Sequence, residues 1–138
     1  MGTLIGIGVG VNSYTGTGLI NLYEGLTFSG PNWTDEGSGV YSHIPFTGTG
    51  DYLAVSDKSF LSTGATYTIV FNVDARVAGS VYSWTGGTEG TAQLAPIDNF
   101  EENKIANNQA QNQGFQTNTA ASGIRISNLR IYLLSPAP

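Results

Sequence analysis

The cleanest alternation of apolar and polar positions in the chain lies in TYTIVFNV, residues 66–73. Tyr67, Ile69, Phe71 and Val73 fall on one face, and Thr66, Thr68, Val70 and Asn72 on the other. A period of two is the signature of a β-strand with one face in a core. Val70 among the polar positions predicts that the second face is partly covered as well. Asp74 to Gly79 is a polar break, Ser80 to Thr85 reads as a returning strand, and the Gly86-Gly87 pair ends it. The stretch from Gly64 to Glu89 is therefore expected to be a central hairpin of two long strands.

The same reading extends along the chain. Ile5, Ile7, Val9 and Val11 alternate with Gly6, Gly8 and Gly10, which gives a strand with one bare edge that can lie close to another backbone. Two readings stay open for it. It is either the first strand of the domain or an extended arm that adds to the sheet edge of a neighbouring subunit. In the second reading Leu4, Ile5, Ile7, Val9 and Val11 are the contact residues, and residues 1–25 form the arm ahead of a domain at 26–138. LTFS at 26–29 is a strand and Gly30-Pro31-Asn32 a turn. Asp35 to Gly39 forms a polar hairpin loop before VYSHIPF, whose later half is demoted by Pro45, and DYLAV at 51–55 is a further strand.

Downstream, TAQLAP at 91–96 reads as a short strand ended by Pro96, while FEENKIANN at 100–108 fits either a strand or a single helical turn. The Asn/Gln-rich tract at 107–119 reads as a strand with a polar face plus a solvated loop. In GIRISNLRIYLL the apolar positions change parity, from Ile124 and Ile126 to Leu129, Ile131 and Leu133. One extra residue at Ser127-Asn128, a β-bulge, accounts for the change. The closing SPAP cannot continue a ladder and is expected at the surface. Short strands separated by turn signals at this spacing define an all-β fold, an antiparallel β-sandwich or jelly roll.

Composition narrows the partners. Charged residues make up 11% of the 138, against roughly 25% in ordinary soluble domains, so neutral Thr, Ser and Asn supply most of the polar surface. The net charge is −5, and Lys58, Arg76, Lys104, Arg125 and Arg130 are scattered. Nucleic acid is excluded, because phosphate binding needs clustered cations. There is no cysteine to form a disulfide. No stretch is long and apolar enough to span a bilayer, so no membrane association is expected. The opening MGTLIGIGVGV lacks the basic leader and A-x-A-like cleavage site of a signal peptide, and Gly6 breaks the myristoylation pattern. Synthesis in the cytoplasm is the expectation.

Reactive chemistry is sparse. His43 is the only histidine and reads as a surface or packing residue. Asp35, Glu36, Glu101 and Glu102 are not paired across any legible site, so they read as solvated turns and not as glycosidase carboxylates. No D-x-D-x-D run signals calcium, although a loop site from Asp51, Asp57 and backbone carbonyls stays open. No Gly-Lys-Ser/Thr phosphate loop occurs. No catalytic residue, cofactor or metal-ligand set is expected. Trp33, Tyr41, Tyr52, Tyr82 and Trp84 are candidates for a glycan platform, since pyranose rings stack on aromatic faces. Core or interface packing is the favoured reading of the five.

Four runs share a pattern: WTDEGSGVYSH, SFLSTGATYTIVFNV, RVAGSVYSWTGGTEGTA and ISNLRIYLL. Together they resemble the carbohydrate-binding-module-like jelly rolls of tailed-phage virion proteins. The positions that carry the resemblance are Trp33 and Gly37; Gly64, Thr66, Tyr67, Thr68 and Ile69; Ala78 to Val81 with Gly86 to Thr91; and Ile126, Asn128 and Leu129. It covers residues 33–134. The usual Asn-Gly-Thr-Tyr strand is missing between Gly90 and Gly123, and the first 25 residues have no counterpart. The resemblance implies a capsid decoration (cement) protein on the virion surface. It would bind the major capsid protein, assemble as a homo-oligomer (a trimer) and stabilise the head without catalysis. The alternative it implies is a carbohydrate- or receptor-binding module of a tail fibre or of a free protein.

Overall fold

The computed structural model describes residues 19–138, so the arm contacts Leu4, Ile5, Ile7, Val9 and Val11 lie outside the described residues. Ten strands follow: β1 (Phe28–Ser29), β2 (Thr34–Gly37), β3 (Val40–His43), β4 (Tyr52–Val55), β5 (Thr66–Ala75), β6 (Val81–Thr85), β7 (Thr88–Glu89), β8 (Ile97–Ile105), β9 (Gly114–Thr117) and β10 (Ile124–Ser135). They form two five-stranded antiparallel sheets with the orders β1-β4-β9-β6-β7 and β2-β3-β10-β5-β8. The sheets face each other as a β-sandwich. Phe71 of β5 and Phe115 of β9, one from each layer, meet edge to face at 4.9 Å in the middle.

β5 is the spine. Tyr67, Ile69, Phe71 and Val73 are all buried, as their parity requires, and Thr68 and Val70 on the other face are buried too. Cross-strand partners on that face are Arg130 and Glu101 beside Val70, and Tyr132 and Asn103 beside Thr68. Neighbours directly opposite share a face, so their stems screen Val70. Thr68 Oγ1 donates to Asn103 Oδ1 at 2.7 Å.

The central hairpin is not formed. β5 pairs with β10 and β8, whereas β6 pairs with β9 and β7 in the opposite sheet. Residues 76–80 carry the chain across the sandwich and are pinned there: Val77 N and Ala78 N donate to Ser122 O, and Arg76 Nε donates to Gly79 O. Gly79 has φ +73°, and a Cβ would sit 2.4 Å from the Ala121 backbone, so the crossing needs a residue without a side chain. TAQLAP is not a strand either, since only Gln93 bridges, to Val81. FEENKIANN falls within β8 and its following loop. Phe100 opposes Phe71 on the core side, and exposed Ile105 opposes Thr66.

Other expectations hold. The β2–β3 hairpin forms with a shorter loop than the expected Asp35–Gly39: Asp35 to Gly37 pair within β2, and Ser38 and Gly39 alone make the turn, both with positive φ (55° and 76°), as a two-residue type I′ hairpin requires. β3 stops at His43, before Pro45. In β10, Ser127 opposes Asn72 and Arg130 opposes Val70, so β10 carries one extra residue there, with Asn128 at φ 55°. Residues 21–25 pack onto the sandwich. Leu22 N donates to Ile131 O, and Tyr23 sits in the core against Phe28, Phe60 and Phe115.

Phe71 touches both Phe100 and Phe115. Phe71→Ala should therefore cost about 3–5 kcal/mol of unfolding free energy, the usual range for truncating a buried phenylalanine. Urea unfolding checks this, and a loss below about 1 kcal/mol would show that the layers do not close at this point.

Candidate functional site

At one end of the sandwich, where β3 stops and β4 starts, the chain encloses a carboxylate. His43 closes β3 and Asp51 precedes β4, joined by the Thr47–Gly50 turn. Asp51 Oδ2 accepts from His43 Nε2 at 2.7 Å, Thr47 Oγ1 at 2.7 Å and Asn32 Nδ2 at 3.3 Å, and Oδ1 accepts from Thr49 Oγ1 at 2.9 Å. Trp33 Nε1 donates to Asp51 O at 3.0 Å, and its ring stands edge-on to His43 at 5.4 Å. Burial pushes the Asp51 carboxyl up, but the bonds from His43, Thr47, Thr49 and Asn32 outweigh it and hold the group below its ordinary value.

This pair resembles half of a catalytic triad, but its geometry is structural. His43 is completely buried, and its Nδ1 has no hydrogen-bond partner among the described residues. The two threonine hydroxyls point at the carboxylate, so neither is set up as a nucleophile activated by the imidazole. Asp57, the other half of the open calcium reading, caps Ser59 N beyond the far end of β4. The length of the strand separates the two acids, and among the described residues no group of three or more His, Cys, Asp or Glu could hold a metal ion.

The five aromatic candidates divide. Tyr41 is core: it is buried, packs edge to face on Phe28, and its hydroxyl accepts from Phe28 N. Trp33 belongs to the Asp51 enclosure. Tyr52, Tyr82 and Trp84 share the outer face of the β1-β4-β9-β6-β7 sheet, because Tyr52 and Tyr82 both oppose Gln116 and Trp84 opposes Gly114. All three are half-buried. The Tyr52 hydroxyl is tied to Gln113, donating to its O at 2.8 Å.

The apolar surface at the His43–Asp51 end was not legible from the sequence. Ile44, Phe46, Val77, Leu94 and Ile97 are 39–75% exposed. The sheet registers bring them to the same end. Gly123 N donates to Ile44 O, and a Cβ on Gly123 would strike Val77. Leu94 lies between Gln93, which bridges to Val81, and Ile97, which opposes Val73. Ile44 and Phe46 flank Pro45, Val77 and Leu94 stand in separate connections and Ile97 opens β8, so only the topology assembles them. A smaller set, Ile105, Leu133 and Leu134, is exposed on the strands away from this end.

No family model, curated protein or solved structure matches the chain.

Because the Asp51 pKa is lower folded than unfolded, its contribution to stability is complete above the ordinary carboxylate value of about 4. It is lost as pH falls through the folded-state value. Asp51→Asn should cost about 1–3 kcal/mol near neutrality, by turning an acceptor toward groups that all donate. In urea titrations the gap from wild type should narrow as pH falls below the ordinary carboxylate value of about 4. A gap that stays constant through that fall would show that the carboxylate charge is not what the enclosure holds.

Proposed function

We propose that this chain is a jelly-roll capsid decoration protein that binds the outside of an assembled phage head and stabilises it by contact, without catalysis. The observation that carries the reading is the set of five exposed apolar side chains at one end of the sandwich. Exposed apolar residues collected in one region mark protein contact sites. The sparse charge of the chain suits attachment by buried area better than attachment by ion pairs. The sealed His43–Asp51 pair next to that end supports a rigid contact surface and not a reactive one.

In this reading the major capsid protein is the partner, the working form is a homotrimer, and Leu4, Ile5, Ile7, Val9 and Val11 supply a second contact to a neighbouring chain. A protein that binds only the assembled lattice stabilises it by mass action, so no chemical step is needed.

Phe46→Asp combined with Val77→Asp tests the reading, because both side chains are largely exposed. The double variant should unfold at the wild-type temperature but bind purified expanded heads roughly thirtyfold more weakly, about 2 kcal/mol, as loss of a central contact does. Co-sedimentation with heads that lack the protein measures it. Undiminished binding by the variant, or failure of the wild type to sediment with heads, would overturn the proposal.

A further inference from the structure

Phe46 projects from a turn that has no ladder of its own. Among the described residues, no backbone-to-backbone hydrogen bond holds residues 45–50. The chain is fixed on either side, where Gly123 N donates to Ile44 O and Thr117 N donates to Asp51 O. Between these anchors the turn is held by side chains. Thr47 Oγ1 and Thr49 Oγ1 both donate to the Asp51 carboxylate, and Thr49 N donates back to Thr47 Oγ1 at 3.3 Å. A long bond of 3.4 Å from Gln116 Nε2 to Gly50 O adds a link to β9. The Phe46 ring lies against this turn, since a Cβ on Gly48 would sit 3.9 Å from Phe46 Cζ. The turn therefore props the ring outward, where it is 69% exposed.

The same carboxylate is tied from behind by His43 and Asn32, so it joins the turn to β3 and to the β1–β2 connection. All four side-chain partners donate, which suits an ionised carboxylate with two acceptor oxygens. A protonated one turns a donor toward groups that already donate. The bonds open to water are those of Thr47 and Thr49, which are half-buried and exposed, whereas His43 is sealed. Among the described residues His43, from β3, is the only titratable group bonded to the Asp51 side chain. The β1–β2 connection contributes Asn32 and Trp33, and β9 contributes Gln116 and Thr117, all neutral.

We infer that Asp51 is the positioning residue of the apolar end: its carboxylate holds the Thr47–Gly50 turn and Phe46 in the docking conformation, and acid that neutralises it releases the turn while the two sheets stay closed. The docking half of this inference rests on the capsid reading. The ordering of the turn does not, because it follows from the bonds alone. A turn without backbone bonds has little to keep its shape once the threonines let go, whereas β5 stays paired on both sides.

Backbone amide relaxation of the full chain tests the ordering. Order parameters for residues 46–50 should be about 0.85 in the wild type and fall below about 0.6 in Asp51→Asn, with β5 unchanged. Thr47→Val combined with Thr49→Val should do the same, and it leaves the buried His43–Asp51 pair intact should Asp51→Asn fail to fold. Lowering the pH of the wild type below the ordinary carboxylate value of about 4 should free the turn before β5. Unchanged order in the threonine variant, or simultaneous loss of the turn and β5 in acid, would overturn the inference. Co-sedimentation with heads reads the docking half. A freed turn that keeps the docking conformation about a tenth of the time binds roughly tenfold more weakly. Phe46→Asp should then cost less in the threonine variant than in the wild type, because both changes act through one contact. Fully additive losses would overturn the docking role. Wild-type protein that fails to sediment, with the turn still released in the threonine variant, would overturn the capsid reading and support the positioning role.

Discussion

Everything else in the molecule depends on two sheets closing over the aromatic contact between Phe71 and Phe115. Around it Tyr23, Phe28, Phe60 and Phe100 pack mostly edge to face, the arrangement that ring quadrupoles favour. With no cysteine available, no covalent link adds to this closure. The wiring makes the closure cooperative. Among the described strands only β2–β3 and β6–β7 pair with a sequence neighbour inside one sheet, and the remaining connections cross between layers. Neither sheet can therefore form its full ladder without the other.

The polar interior follows the same economy of charge. Beside the His43–Asp51 pair, the interior holds neutral amides and hydroxyls such as Gln113 and Thr68, although the buried Thr85 hydroxyl has no partner among the described residues. Gln113 is fully enclosed. Its Nε2 donates to Tyr23 Oη at 2.6 Å, its Oε1 accepts from Gly86 N at 2.8 Å, and its backbone holds Tyr52 Oη from both sides. One side chain thereby joins the β6–β7 turn, the β9 entry and the first described segment of the chain. Asp51 does the same at the opposite end with a charge, compensated by four side-chain donors.

The sequence made the strands more legible than their partners. The alternation in β5 and the parity change in β10 follow from local geometry, and both hold in the structure. The pairing of β5 with β6 failed, because alternation says which face is buried and is silent on which strand lies alongside. A five-residue break serves a hairpin or a crossing equally well. The Asn/Gln tract hid Gln113, since a buried amide and a solvated one look alike until their partners are known. The aromatic candidates illustrate the same limit. Tyr52, Tyr82 and Trp84 meet only because β4 and β6 both border β9, while Tyr41 went to the core and Trp33 to the Asp51 enclosure. His43 and Asp51 carry no spacing motif, so a packing role was as far as the residues could lead.

The outermost strand, β8, has one further consequence. Among the described strands it pairs only with β5, so apart from Ile105 O, which accepts from Thr88 Oγ1, its other edge presents a row of backbone donors and acceptors to anything outside those strands. Such a row invites fibre-like stacking between identical molecules. Here Asn99, at φ 53°, breaks the straight run, Asp98 and Glu101 project exposed charge beside it, and Glu102 is drawn back toward Ser83 and Thr91. The flank is thus made inhospitable to copies of itself, and crowded molecules are left to meet through their ends and faces.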